Sequence, residues 1–301
     1  MRFQTGTSMR TARKQTTIAR PFSLSGRGYW SGEANTLTFL PADADSGIRF
    51  RRVDLPGRPS VQALAENRQS MSLRTCLHDG LAQVAMVEHV LSALTGMQVD
   101  NCTIECTATE IPGFDGSSHA LTVAIEEAGV EALEVVRQTL IIRREISIVG
   151  DRQWIKALPC PAGEYEVEYL LDYGVDSPIG ISDYRTPVRP DLYAAQLAPA
   201  RTFVTEAEAA EIQRRGMASH VTDQDLLVFG QDGPRNNRLR FPDECARHKA
   251  LDMVGDLALA GVDLVGRFTA SRSGHLLNGE MAQTLRELAL KEKPIRQQDA
   301  A

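Results

Sequence analysis

His248 and Asp252 lie four residues apart in the stretch ECARHKALDMVGDLALA, 244–260. Ala246, Ala250, Val254, Leu257 and Ala258 have the spacing of one helix side, and no proline interrupts them. Residues four apart on a helix project from one face, one turn above the other. An imidazole and a carboxylate so placed can grip one divalent metal ion. An isolated pair of this kind is more often a solvated surface pair, so the metal reading needs further ligands. A hydrolytic zinc takes three protein donors and leaves one position for water. His89, in MVEHVLSAL, completes that count. Glu88 beside it can act on the water as general base. His275, in SGHLLN, is a candidate general acid for the leaving group, and Asp256 can orient it and keep it charged. Each residue is ordinary alone; the argument is joint, because the His and acidic residues recur at equivalent places in both halves of the chain.

The elements that must position these groups follow from patterning. NTLTFL, GIRFRRVDLPG and VDNCTIECTA read as strands. A helix is expected over 84–94, with Val84, Val87, Leu91 and Leu94 on one side and Gly96 as its stop. EIPGFDGSS is a turn-rich loop, and HALTVAIEEAGVEAL a second helix. The pattern restarts near Val135: TLIIRREISIVG and QWIKALPC resemble a hairpin, and EYEVEYLLDY is another strand. Residues 178–193 read as irregular, 206–215 as a helix, QDLLVFGQDG and VDLVGRFTA as strands, and SRSGHLLN as a loop. EHVLSALTGMQVDNCTIEC and HKALDMVGDLALAGVDLVGRFTA share the order helix, glycine, strand, which reads as an internal duplication. Strands and helices do not alternate regularly. The expectation is therefore an α+β fold of two duplicated domains, 14–137 and 138–290, each a mainly antiparallel sheet packed on helices, with the helix layers meeting between the two sheets. A cleft between those layers would hold the site. Disordered tails are expected over 1–13 and 291–301, and Met9 is a second candidate start.

Composition bounds the rest. At 301 residues there is room for two domains, and a net charge of -6 argues against a general nucleic-acid or membrane-surface binder. No apolar run approaches a membrane span, and the basic amino terminus lacks the hydrophobic core of a secretory signal. Five cysteines without a CxxC fit reduced thiols in a cytoplasm; Cys102 and Cys106 read as buried thiols on one face of a strand.

From about Gln15 to Asn278 the sequence resembles the UDP-3-O-acyl-N-acetylglucosamine deacetylases, the zinc amidases of lipid A synthesis. The resemblance is carried by TCL at 75–77, VEHVLSAL at 87–94, DN at 100–101, EIPGFDGSS at 110–118, ARTF at 200–203, RHKALDMVGDL at 247–257 and TASRSGHLLN at 269–278. It implies His89, His248 and Asp252 as ligands of one zinc ion per chain, Glu88 as general base, and His275 as general acid oriented by Asp256. It further implies Thr202 as a stabiliser of the oxyanion, Phe203 and Lys249 as contacts to the nucleotide-sugar, and Leu73 near the entrance to the acyl passage. Iron(II) accepts the same donors as zinc. An acylated UDP-sugar is the implied partner, and a monomer is expected because the site is built within one chain.

Two positions depart from the family pattern. The early turn reads GRGYWSG, with Trp30 where the family has a histidine, and the loop after the 206–215 helix reads ASHVTDQDLLVF, with His220 in its middle. Trp30 either packs the turn or changes a substrate contact; His220 reads as a loop residue. The preceding helix is polar for a segment lining an acyl passage. These departures keep two alternatives open: a zinc amidase of the same fold acting on another N-acetylated nucleotide-sugar, and a non-catalytic nucleotide-sugar-binding homologue.

Overall fold

The computed structural model describes residues 13–71 and 73–292. A five-stranded sheet and a six-stranded sheet carry the chain; the sixth strand of the second, Thr139–Ile141, lies off its main path and pairs in parallel with Asp263–Ser271. The first runs Phe22–Arg27, Ala34–Pro41, Cys102–Cys106, Ile48–Arg52, Ser60–Gln62; the second runs Ile146–Val149, Trp154–Leu158, Asp263–Ser271, Tyr165–Asp172, Ile181–Pro187. In each, the last strand in sequence takes the centre, antiparallel to one neighbour and parallel to the other. In Tyr165–Asp172 alternate residues are buried, the period-2 pattern of a sheet with one covered face. Asp263–Ser271 is buried at most positions, as a central strand must be.

The helices are α1 (Glu88–Gly96), α2 (His119–Ala128), the single turn α3 (Pro190–Leu192), α4 (Glu206–Arg214), α5 (Glu244–Leu257) and α6 (His275–Lys291). The helix α2 contacts strand Phe22–Arg27 of the first sheet, while α5 lies on Tyr165–Asp172 and Ile181–Pro187 and α6 on Trp154–Leu158 of the second. The two layers meet where α1 packs on α5. Their contact is close: a Cβ on Gly255 would stand 2.0 Å from the Glu88 carbonyl oxygen. The fold is α+β, as the patterning predicts.

Several expected elements differ. The helix expected over 84–94 begins only at Glu88, because Ala82–Ala85 is a strand paired with Cys76–Asp79. Met86, at φ 61°, ends the strand in a left-handed conformation that no helix continues. Both stretches are buried, so the apolar spacing from Val84 to Leu94 was real but spanned two elements. Residues 181–187, expected to be irregular, form an edge strand; its proline is its last residue, where a missing N–H costs the ladder least. VEAL after α2 belongs to strand Val130–Val136, paired with Lys14–Ile18. His275 does not sit on a loop: it is the first residue of α6, a 17-residue helix whose pattern is interrupted by Gly279. That glycine admits the Arg68 guanidinium, which would lie 2.2 Å from a Cβ there.

Arg13, placed by the sequence at the end of a tail, bridges Asp100 and Asp263, the residues just before and at the start of the two central strands. Residues 1–12 and 293–301, with Met9, lie outside the described residues. No helix among the described residues is long and apolar enough to cross a membrane. Cys102 and Cys106 are fully buried, and burial pushes both thiols up to about 12.

Candidate metal centre and active site

The contact of α1 and α5 brings His89 to His248 and Asp252. The Asp252 Oδ1 lies 3.3 Å from His248 Nε2 and 3.6 Å from His89 Nε2. One donor atom from each of the three residues lies within 4.8 Å of the others, and all three side chains are buried. Donors bound at about 2.1 Å in tetrahedral geometry stand about 3.4 Å apart, a spacing that the two distances to Asp252 match. The His248 Nδ1–H donates to the Ala200 carbonyl (3.0 Å), which fixes the tautomer and leaves the Nε2 lone pair for a metal. Burial, only partly offset by Asp252, pushes His248 down to about 4, so the ring is neutral as a ligand must be. Burial alone would raise the Asp252 carboxyl; His248 and Lys249 instead hold it well below the usual range. The Lys249 ammonium donates to the other Asp252 oxygen at 2.7 Å.

On one side of this cluster stands Glu88. Its Oε2 accepts the Thr75 backbone N–H at 3.0 Å, and its Oε1 lies 4.0 Å from His275 Nε2. Burial pushes the Glu88 carboxyl above its ordinary value, against the pull of His275 and His89. The His275 Nδ1 lies 2.9 Å from Asp256 Oδ2, so Nε2 is left facing the cleft. Asp256 is fully buried and accepts from Asn278 Nδ2 at 2.9 Å and from the Thr75 hydroxyl. Burial opposes a charge on His275, but Asp256 and Glu88 outweigh it and push the ring up to about 9.

These groups open into a cavity of about 990 Å³ lined by Glu88, His89, Thr202, Phe203, His248, Lys249, Asp252, His275 and the exposed Leu73. Every site residue singled out from the sequence except Asp256 lines it; Asp256 stands behind His275. The ARTF segment is held by Arg201, whose buried guanidinium pairs with Glu244 at the start of α5 (2.8 Å). The Thr202 N–H donates to the Gly116 carbonyl at 2.8 Å, and the Phe203 ring meets His248 edge-on at 6.3 Å between centres. Val204, Ala207, Ala210, Ile212 and Val228 bring apolar groups to one side of the cavity, beside Glu206, Glu208, Glu211 and Gln213 of α4.

Sequence reasoning missed three supports. Thr75 touches both Glu88 and Asp256, Asn278 bonds Asp256, and Glu110 accepts the N–H groups of Trp30 and Ser31 at 2.8 Å. All three lie inside TCL, GHLLN and EIPGFDGSS, and membership of those motifs was the available signal. The Trp30 ring lines the cavity with the Arg74 guanidinium 5.0 Å from its centre, so it does more than pack its turn. His220 is an exposed loop residue outside the cluster.

A family model described as UDP-3-O-acyl N-acetylglycosamine deacetylase matches residues 15–287. A UDP-3-O-acyl-N-acetylglucosamine deacetylase of Anaeromyxobacter sp. (strain Fw109-5) is 38% identical over 269 residues, 88% of this chain and 86% of its own. One of Trichormus variabilis is 37% identical over 281 residues, 92% of this chain and 99% of its own. One of Geobacter sp. (strain M21) is 35% identical over 274 residues, 90% and 88% respectively.

Proposed function

The chain belongs to the UDP-3-O-acyl N-acetylglycosamine deacetylase family, hydrolytic amidases of lipid A biosynthesis, and from that membership we propose how its own residues perform the reaction. The substrate is the acylated UDP-sugar named for its relatives, and the products are acetate and the free 2-amino sugar. His89, His248 and Asp252 hold one zinc ion; iron(II) suits the same donors. When bound, the ion supplies a Lewis acid for water and for the amide carbonyl. Glu88 takes the proton from the attacking water, a role its raised basicity favours. Thr202 donates its hydroxyl to the tetrahedral oxyanion. His275, charged through Asp256, gives the Nε2 proton to the departing nitrogen, which turns a poor leaving group into a neutral amine. Lys249 and Phe203 contact the nucleotide-sugar, and the apolar side of the cavity, entered near Leu73, takes the acyl chain.

The observation that carries this reading is the convergence of groups from both halves. Two histidines and a carboxylate meet at metal-ligand spacing, with a base candidate and a charged acid candidate facing each other beside them. Neither Glu88 nor His275 is needed merely to hold a metal, which weighs against a binding module. The matching strand order of the two sheets supports duplicated domains over 14–137 and 138–290. A site complete within one chain supports a monomer, and the nucleotide-sugar substrate supports a cytoplasmic location.

The test is acetate release from UDP-3-O-acyl-N-acetylglucosamine by the purified protein, with and without chelator and with zinc restored. Chelator-sensitive release recovered by zinc is the expected result. A folded, zinc-loaded protein that releases none acts on another substrate.

A further inference from the structure

The two places where this chain departs from the family pattern meet in space. The His220 Nε2–H donates to the Gly28 carbonyl at 2.8 Å. Its imidazole lies over Gly32, where a Cβ would stand 3.0 Å from Nδ1 and where φ is +72°, so only glycine suits both the turn and the ring. A second tie runs beside it: the Tyr29 hydroxyl donates to the Asp225 carbonyl at 2.5 Å. The Tyr29 ring is seated on Gly113, where a Cβ would stand 2.1 Å away. Between the ties the loop is internally braced, with the Thr222 N–H and hydroxyl both donating to the Asp225 carboxylate. Met217, Val221 and Leu226 from this loop and Trp30 from the turn line the same cavity.

Besides these ties the wall meets the first half at Gly116, whose carbonyl accepts the Thr202 N–H and where a Cβ would stand 3.0 Å from the Asp225 carbonyl oxygen. The helix α4 buries none of its residues, and its main contacts are with the two strands beside it, Phe203–Thr205 and Leu227–Gly230. We propose that His220 is a specificity-positioning residue: by tying the 217–226 loop to the Gly28–Gly32 turn it holds the wall of the acyl passage in place, and so sets how sharply the enzyme discriminates acyl-chain length. The proposal rests on the amidase reading above. An apolar wall held in contact gains roughly fourfold in affinity for each methylene it covers. A wall free to part from the turn forfeits that contact for the outer methylenes and leaves the sugar and amide contacts alone.

The experiment uses the full, zinc-loaded chain with a long and a short 3-O-acyl chain on the same UDP-sugar. In His220→Ala the long-to-short ratio of kcat/KM falls about fourfold or more, the contact of at least one methylene. The loss is in KM for the long chain, while kcat for the short chain and zinc content stay at wild-type values. His220→Gln, whose amide can still donate to the Gly28 carbonyl, restores most of the ratio. Tyr29→Phe, which removes the second tie, lowers the ratio in the same direction. An unchanged ratio in His220→Ala overturns the proposal, as does an active wild type that shows no dependence on chain length. A wild type inactive on every chain length instead fails the amidase reading, and this proposal with it.

Discussion

Replacing Gly255 with alanine tests whether the crossing of α1 and α5 sets the chemistry. The new Cβ would stand 2.0 Å from the Glu88 carbonyl oxygen, and real Cβ atoms stay beyond 3.0 Å from such neighbours. The obstacle is backbone, so no side chain can swing aside. The helices must part by about 1 Å, because an interior at crystal-like density has no slack to absorb the methyl group. Overpacking of this kind costs about 1–3 kcal/mol, against a gain of about 1 kcal/mol from the better helix propensity of alanine. Net stability therefore falls only modestly. The functional effect is larger, because α1 carries Glu88 and His89 while α5 carries His248 and Asp252. Metal–donor distances tolerate about 0.2 Å, so a shift of about 1 Å at His89 weakens the site severely. Misplacement of a reacting group by about 1 Å costs on the order of 100-fold in rate. Denaturant unfolding, zinc content after dialysis and kcat/KM measured on one preparation separate these effects. A Gly255→Ala protein that holds zinc and turns over like the wild type would refute the reasoning, whatever its stability.

Four further outcomes follow from the site. Glu88→Ala or His275→Ala lowers turnover roughly 100-fold or more with zinc still bound; full activity in either variant removes that residue from the chemistry. His248→Ala lowers zinc retention, read by metal analysis after dialysis; an unchanged metal content counts against its ligand role. Activity against pH is bell-shaped: it falls on the acid side as Glu88 gains a proton, at a pH above the ordinary carboxylate value, and on the basic side as His275 loses its proton near pH 9. Asp256→Asn removes the charge that holds His275 protonated and leaves burial to oppose it, so the basic limb moves to lower pH; a limb that stays in place assigns it to another group.

The order of elements around the site was legible because it rests on local rules. The helix 244–257 follows from uninterrupted apolar spacing, and its i, i+4 pair lies on one face wherever that helix packs. The strand Asp263–Ser271 was equally plain, since Leu264, Val265 and Phe268 follow directly on the stop at Gly261. The start of α1 was not, because Val84 and Val87 keep helical spacing across a break that only the left-handed Met86 reveals. The helix opened by His275 was hidden by Gly279, which looks like a stop and instead makes room for Arg68.

By itself, the sequence determined which residues could do chemistry, since residue type and motif order are one-dimensional properties: imidazoles and carboxylates at fixed spacing within motifs in a fixed order. Tertiary structure alone decided what those residues are as a set. His89 and His248 lie 159 positions apart in the sequence, and their ring centres come within 5.1 Å only because Gly255 lets two helix backbones touch. The charge on His275 is likewise a property of no local stretch: it comes from burial opposed by Asp256 and Glu88, carried on two other helices. The tie between His220 and the Trp30 turn has the same origin, a hydrogen bond between loops from opposite halves that no pattern along the chain encodes.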